Sequence, residues 1–211
     1  MLNIQIFTFN PFSENTYVLY NENKNGVIID PGNWNEKETE ALENFIKEKE
    51  IKIANILLTH AHIDHVLGLQ WAYNTYKVPV KMHEEEQDVL NRNPMSARNY
   101  GFDFKPFSGK IEFLNEGEKY CIDEDCFDIF HVPGHSPGSL AFYNEAQKLV
   151  ISGDALFQGS IGRTDLYRGN HEQLLESIRT KLFTLPEETD VFSGHGSATQ
   201  IGFEKNHNPF F

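Results

Sequence analysis

Six consecutive residues place the tightest limit on what this chain can fold into. Residues 60–65 read His-Ala-His-Ile-Asp-His and directly follow the apolar run 54–59, which is typical of a strand buried on both faces. In an extended chain, side chains two residues apart share a side, so we expect the first, third and fifth of these six groups to converge. A turn after Asp64 would then bring His65 to a neighbouring position.

Three imidazoles and a carboxylate so close together suit a metal site. Neutral imidazole and carboxylate are ligands for zinc, and also for iron or manganese. Packing four such groups together without a cation carries a large desolvation cost. A solvated His-rich turn is the alternative interpretation, and three later segments argue against it.

Each of those three segments delivers one more metal-ligating side chain from the end of a strand. Residues 132–139 set His135 in a loop fixed by proline and glycine, whose tight turns hold an imidazole at a defined angle. One apolar strand ends at Asp154, and another ends at His195, which stands between two glycines. Ligands at the ends of neighbouring strands can converge on one edge of a sheet sandwich.

The motif His-x-His-x-Asp-His at residues 60–65, together with these three later positions, resembles the signature of the metallo-β-lactamase superfamily. The resemblance runs from about residue 12 to the C-terminus and implies an α+β fold, a four-layer αββα sandwich. It also implies two divalent metal ions, with zinc favoured and iron or manganese as alternatives. In that centre one metal is bound by His60, His62 and His135, the other by Asp64, His65 and His195, and Asp154 bridges them.

Further motifs narrow the resemblance to one branch. Residues 153–165 and the closing segment 194–210 are similar to short, single-domain members of the glyoxalase II group. The similarity implies hydrolysis of thioesters such as S-lactoylglutathione by a hydroxide that bridges the metals, with Asp64 as a secondary candidate for proton transfer. We therefore expect a small-molecule thioester as the binding partner.

The likeness to glyoxalase II is incomplete at the C-terminus. Full-length glyoxalase II has a helical C-terminal domain whose basic residues grip glutathione. This chain ends 16 residues after His195, with Lys205 as its only basic residue beyond Lys181. A different thiol carrier, a smaller thioester or a lactone therefore stays open as the substrate.

Other branches of the superfamily fit the sequence less well. Most zinc β-lactamases have Cys at the position of Asp154, flavo-diiron proteins have Glu at the position of His62, and the nucleases carry additional domains. The main alternative is persulfide dioxygenase, which binds a single iron through positions matching His60, His135 and Asp154. Its usual Gly-Cys-Gly-Arg is replaced by Gly-Ser-Ile-Gly-Arg at residues 159–163, which favours the hydrolase. A non-catalytic metal-binding protein is a third hypothesis.

Arg163 and Asp165 stand out among the residues without a predicted role in metal binding. Arg163 could orient a substrate carboxylate, or it could lock its own loop through a bidentate contact with a nearby acid. We expect the structural role.

The composition excludes several classes of partner. There are 18 Lys and Arg residues against 31 Asp and Glu, a formal net charge of -13, which repels nucleic acid and anionic membranes. Since no signal segment or apolar span is visible, we expect a soluble cytoplasmic protein. The length suits a single domain, residues 1–211. With only two cysteines, Cys121 and Cys126, we expect reduced thiols, a local disulfide being the alternative.

Strand patterns predominate, although helices are also present. The runs 2–9, 15–21 and 26–32 predict an opening β-meander, and 35–50 has the spacing of a helix with one buried face. A second helix is predicted to begin at Asn170, with a capping box. Residues 91–109 look irregular, and we expect their aromatic side chains to anchor a long loop, a lid over a pocket being the alternative.

Overall fold

The computed structural model describes residues 1–211, in which two six-stranded sheets pack against each other. The first sheet has the order β1-β2-β3-β4-β5-β6, formed by Asn3–Phe9, Glu14–Tyr20, Asn25–Ile29, Lys52–Leu57, Val80–Met82 and Ile111–Phe113. The second contains β7 to β10, formed by Lys119–Ile122, Asp125–His131, Leu140–Asn144 and Leu149–Gly153. A small hairpin of β11 and β12, Leu156–Phe157 and Ser160–Ile161, follows. Strands β13 and β14, Asp190–Ser193 and Thr199–Gln200, complete the second sheet in the order β14-β13-β10-β9-β8-β7.

Six helices lie outside the sheets. Helices α1 to α6 are Glu36–Glu48, Ile63–Val66, Leu69–Tyr76, Gln87–Tyr100, His171–Thr180 and Ile201–His207, and two 3-10 turns are formed by Glu84–Glu86 and Leu182–Thr184. None of the helices combines the length and the apolar character that crossing a membrane requires.

Alternation along the strands divides the apolar side chains among three layers of core. Val18 of β2 belongs to the cluster that packs the first sheet against α1, α3 and α4, whereas its neighbours Tyr17 and Leu19 belong to the cluster between the two sheets. Val150 and Val191 pack the outer face of the second sheet against α5 and α6. The order of layers is αββα, which confirms the predicted four-layer α+β sandwich.

The predicted elements are present, with small shifts at their ends. Strands β1, β2 and β3 pair antiparallel and form the expected meander. The side chain of Asn35 accepts a hydrogen bond from the backbone N–H of Glu38 and so caps α1. The predicted cap of α5 is also confirmed, since Asn170 accepts from the N–H of Gln173.

The segment 91–109 is more regular than its sequence indicates. Its first part continues helix α4 through Pro94 to Tyr100, and the helix ends at Gly101, whose φ is 77°. The buried side chains of α4 pack against the first sheet, and this tertiary contact outweighs the poor helix propensity of the segment. The expected anchoring is present farther along, where Phe104 and Phe107 pack on the core.

The expectation of two reduced thiols is wrong. Cys121 and Cys126 form a disulfide, with their Cα atoms 4.0 Å apart. The β7–β8 hairpin pairs these two residues directly across its strands. Two cysteines are too few for a framework of several disulfides, but a single tight hairpin suffices to bring one pair together.

Candidate metal centre

Strand ends from both sheets bring the seven predicted metal-binding residues to one edge of the sandwich. The first sheet contributes the segment after β4. The second contributes the loops after β8, β10 and β13, which run in the same direction. The segment after β4 carries both His60 and His62, and the loops after β8, β10 and β13 carry His135, Asp154 and His195, respectively. Asp64 and His65 lie in the short helix α2.

The turn within the His-rich segment comes earlier than the sequence predicts. Helix α2 begins at Ile63, and His62 is its extended N-cap residue, with φ −66° and ψ 156°. Because the chain turns before Asp64, this carboxylate joins His65 in a second cluster instead of converging with the first two histidines. The expected turn after Asp64 is therefore wrong.

Three imidazole nitrogens meet in the first cluster. His135 Nε2 lies 2.9 Å from His62 Nδ1 and 3.2 Å from His60 Nε2. His135 Nδ1 lies 2.8 Å from the carbonyl oxygen of Arg163 and so donates a proton to it, which leaves a lone pair on Nε2. The three rings thus turn nitrogens toward one point.

Burial keeps these three rings neutral. It lowers the pKa of His60 well below the usual value, lowers the pKa of His62 to about 3 and also lowers the pKa of His135. Neutral imidazole is the form that binds a metal ion, so the first cluster is prepared for one.

Two imidazoles and a carboxylate form the second cluster. His195 Nε2 lies 3.1 Å from Asp64 Oδ2, and His65 Nε2 lies 3.8 Å from the same oxygen. His195 Nδ1 faces the carbonyl oxygens of Phe12 and Ser13, at 3.1 Å and 3.3 Å. The backbone therefore holds this ring with Nε2 turned toward the cluster.

Asp154 lies between the two clusters. Its Oδ2 is 3.4 Å from His135 Nε2 and 3.6 Å from His195 Nε2, and its Oδ1 is 3.4 Å from His65 Nε2. Burial alone would raise the pKa of Asp154, but His65 and the neighbouring imidazoles hold it well below its usual range. Burial would also lower the pKa of His65, but Asp154 and Asp64 raise it well above its usual value. Asp154 thus reaches both clusters as a carboxylate.

The donor set fits a pair of divalent cations. His65 Nε2 and Asp154 Oδ1 face each other at 3.4 Å in a buried place, and neither forms a hydrogen bond. A cation between these two atoms would satisfy both. Within each cluster, the three donor atoms lie within 4.8 Å of one another. The first cluster is His60, His62 and His135, and the second is Asp64, His65 and His195. Nitrogen and oxygen donors of this kind suit zinc, iron and manganese.

A buried carboxylate that the sequence analysis missed, Asp30, orients rings of both clusters. Its Oδ2 accepts from the hydroxyl of Thr59 at 2.5 Å and from His65 Nδ1 at 3.0 Å. The same hydroxyl lies 3.1 Å from His60 Nδ1 and accepts its proton. Both rings therefore present Nε2 to the metal centre. Asp30 follows β3 as Asp154 follows β10, and this shared pattern is the signal that could have identified it.

A second missed carboxylate, Glu86, joins two of the loops that carry the histidines. Its Oε2 accepts from the N–H of Ala61 at 2.7 Å, and its Oε1 accepts from the hydroxyl of Ser136 at 2.6 Å and the N–H of Gly138 at 2.7 Å. Glu86 is fully buried, and burial raises its pKa, while the three donors favour its charged form. In the sequence it ends a run of three glutamates, which is typical of a solvated turn.

Replacing Glu86 by Gln tests this link. A Gln amide has one acceptor oxygen, so an N–H or hydroxyl donor on one of the two loops loses its partner, which costs about 2 kcal/mol. We expect Glu86→Gln to lower the melting temperature by roughly 4–8 °C, measured by circular dichroism. Glu84→Gln, in the same turn but exposed, is the matched control, and equal melting temperatures for both variants would contradict the role.

Two glycines flank His195 for different reasons. A Cβ at Gly194 would lie 2.1 Å from Asp154 Oδ1 and 2.7 Å from His65 Cε1, so only glycine fits against the centre. Gly196 has a φ of 74°, a left-handed conformation that glycine adopts without strain. The sequence pattern around His195 thus reflects one close approach and one turn.

We expect Gly194→Ala to displace Asp154 and His65. A displacement of about 1 Å at a catalytic centre costs about 100-fold in rate, and the bound metal measured by inductively coupled plasma mass spectrometry should fall with it. Ser197→Ala, an exposed position in the same loop, is the control. Full metal content in Gly194→Ala would mean that the close approach is not needed.

Arg163 and Asp165 form the loop-locking contact that the sequence analysis favours. Arg163 Nε and Nη2 donate to Asp165 Oδ1 and Oδ2 at 2.6 Å and 2.7 Å. Both side chains are largely exposed, so the pair adds little stability. Its effect is to fix the loop whose carbonyl oxygen holds the His135 ring.

A cavity of about 500 Å³ opens above the two clusters. Five of the predicted ligands line its floor, and the walls come from α4, from the β11–β12 hairpin and from the loop after it. Its size is that of a site for a small molecule. The segment 91–109 therefore contributes to a pocket wall through its helical part, besides anchoring its aromatic residues.

Comparisons with known proteins agree with this architecture. Residues 9–195 match the Metallo-beta-lactamase superfamily. Hydroxyacylglutathione hydrolase GloC of Haemophilus influenzae is 38% identical over 99% of this chain and 98% of its own length. The probable metallo-hydrolase YqgX of Bacillus subtilis is 40% identical over 95% of this chain and 93% of its own.

Solved structures give the same result. BLEG-1, a B3 metallo-beta-lactamase, superposes with a TM-score of 0.90 at 41% identity and covers 100% of this chain and 99% of its own. TTHA1623, solved in a di-iron-bound form, has a TM-score of 0.89 at 35% identity, with coverage of 98% and 100%. ETHE1 from Myxococcus xanthus, at 24% identity and a TM-score of 0.80, covers 98% of this chain and 83% of its own and shares the fold. The chain belongs to the metallo-β-lactamase superfamily and is a metallo-hydrolase of that family.

Proposed function

We propose that this protein hydrolyses small-molecule thioesters of the hydroxyacylglutathione type. We further propose that it does so with two divalent metal ions, zinc being the favoured metal. The ions would be held by His60, His62, Asp64, His65, His135, Asp154 and His195. The observation that carries the proposal is the position of Asp154, within 3.6 Å of imidazole nitrogens in both clusters and on the floor of a cavity. The whole-chain similarity to GloC supports a thioester as substrate.

The lining of the cavity favours a thioester over an amide. When bound, a metal pair in such a site supplies a hydroxide nucleophile near neutral pH and polarises a carbonyl group. Apart from the proposed ligands and the weakly acidic hydroxyls of Tyr100 and Tyr167, no proton-donating side chain of the carboxylic acid, histidine, lysine or cysteine type lines the cavity. A thiolate, whose conjugate acid has a pKa of about 8.5, leaves without such a proton donor, whereas an amine with a pKa of about 10 requires one.

Asp64 is proposed as a ligand first and as a proton acceptor second. Its Oδ2 lies 3.1 Å from His195 Nε2, at the edge of the cavity. Burial alone would raise the pKa of Asp64, but His65 and His195 lower it. The side chain is therefore ionised at neutral pH, the form that binds a metal ion. Because a lowered pKa makes it a weak base, its proton role is secondary: it would take the proton of the attacking hydroxyl group and pass it to the departing thiolate.

Three other reactions on this fold are alternatives to be tested. Persulfide dioxygenase chemistry would need one iron, and residues 159–163 depart from the pattern of that group. Lactone hydrolysis would use the same centre. β-Lactam hydrolysis is the third alternative, because BLEG-1, which is 41% identical to this chain, is a B3 metallo-beta-lactamase.

One panel of substrates discriminates among these reactions. Metal-loaded protein would be assayed with S-lactoylglutathione, S-lactoyl-N-acetylcysteamine, an acylhomoserine lactone and a chromogenic cephalosporin, and oxygen uptake would be followed with glutathione persulfide. We expect one of the thioesters to give a kcat/KM of at least about 10⁴ M⁻¹s⁻¹, well above the other classes. Faster turnover of the lactone, the cephalosporin or the persulfide would replace the proposal.

A further inference from the structure

The cavity above the metal centre contains one cation without an anionic partner. Arg92, on α4, and Arg163 both line the cavity, and its only carboxylates are the proposed ligands Asp64 and Asp154. Arg163 is paired with Asp165 through two hydrogen bonds. The guanidinium of Arg92 instead lies over an aromatic ring and forms no ion pair within the protein, so its donors are available to a ligand.

The ring of Tyr167 holds Arg92 in place. The guanidinium carbon lies 3.7 Å from the centroid of this ring, an attraction between a cation and the negative face of the aromatic system. The neighbouring Arg168 forms an ion pair with Glu85 at 3.2 Å. This ion pair connects the loop that carries Tyr167 to the turn just before α4, the helix that carries Arg92. The two stacked residues therefore lie on elements that are joined to each other.

The positive charge of Arg92 stands out because the protein as a whole is strongly acidic. At a net charge of -13, the protein as a whole repels anions. Arg92 is exposed, but it lines the cavity, is stacked on Tyr167 and has no anionic partner, so it supplies a local exception. A guanidinium binds a carboxylate through two parallel hydrogen bonds, which makes it selective for that group.

We propose that Arg92, supported by Tyr167, binds a carboxylate on the thiol portion of the substrate. This inference rests on the proposed thioesterase function. With a small acyl group such as lactoyl at the metal centre, the thiol is the part of the substrate that extends along the cavity wall. Arg92 would then be the residue that distinguishes thiols that carry a carboxylate from neutral thiols.

Two thioesters that differ by one carboxylate test the proposal. S-lactoyl-N-acetylcysteine carries the group and S-lactoyl-N-acetylcysteamine lacks it. We expect Arg92→Met to lower the ratio of their kcat/KM values, acid over neutral, by at least about tenfold, mainly through KM. Tyr167→Phe keeps the aromatic face and should retain the ratio, whereas Tyr167→Ala should reduce it. Arg98→Met, an exposed arginine on the same helix, is the matched control.

Salt and direct binding give independent readouts. Raising the ionic strength should reduce the preference for the acid in the wild-type protein more than in Arg92→Met. The S-hexyl thioethers of the same two thiols cannot be hydrolysed, and calorimetry should find tighter binding of the acid only when Arg92 is present. Failure of the wild type to cleave these two thioesters and S-lactoylglutathione would reject the proposed function, and the thioethers would then decide the role of Arg92. An unchanged acid-to-neutral ratio in Arg92→Met, for hydrolysis or for binding, would overturn the inference.

Discussion

Asp154→Asn is expected to reduce thioester hydrolysis by at least about 1000-fold, since a metal centre contributes several kcal/mol to the reaction. The carboxylate reaches both clusters, with its oxygens 3.4 Å from His65 and His135 and 3.6 Å from His195. An amide has the same shape but lacks the negative charge and one of the two acceptor oxygens. We therefore expect the metal content, measured by mass spectrometry, to fall below one ion per chain.

Two controls separate this effect from a general loss of structure. Circular dichroism would establish that Asp154→Asn is folded, and Asp103→Asn, an exposed aspartate outside the cavity, should keep its metal and its activity. Retention of both metals and of hydrolysis by Asp154→Asn would show that no bridging carboxylate is required.

His195→Ala is expected to remove the second metal and to lower hydrolysis by at least about 100-fold, a cost of roughly 3 kcal/mol. The His195 ring is held by two backbone carbonyl oxygens, and its side chain is 25% exposed. Its loss should therefore leave the core intact. Metal analysis should change from about two ions per chain to about one, since the cluster of His60, His62 and His135 is unaltered.

The matched control is His207→Ala, an exposed histidine whose Nδ1 donates to a carbonyl oxygen within α6. It should not change metal content or hydrolysis. Wild-type activity in His195→Ala with a single metal would eliminate a two-metal reaction and would favour a mononuclear centre.

The sequence predicted which side chains meet at this edge of the sandwich, because they occupy places with a strong local signal. At Asp154 and at His195, a buried strand ends in a polar residue beside glycine. Strand formation does not require a polar residue there, so the pattern indicates a functional role. The αββα layers were implied by the family resemblance, whereas the residue pattern alone predicted only that strands outnumber helices. The single-domain organisation over residues 1–211 stays a prediction.

Features that depend on contacts between distant segments were not visible in the sequence. Glu86 resembles its exposed neighbours until Ala61 and Ser136 are brought to it by the fold. Helix α4 contains Pro94, and the contacts that stabilise it come from the first sheet. The stack of Arg92 on Tyr167 joins residues 75 positions apart, and no periodic pattern links them.

Anomalous diffraction from crystals of the metal-loaded protein tests the central claim most directly. Two peaks about 3.5–4 Å apart are predicted, one among His60, His62 and His135 and the other among Asp64, His65 and His195, with Asp154 bound to both. A single peak at full occupancy, or peaks remote from these side chains, would contradict the account.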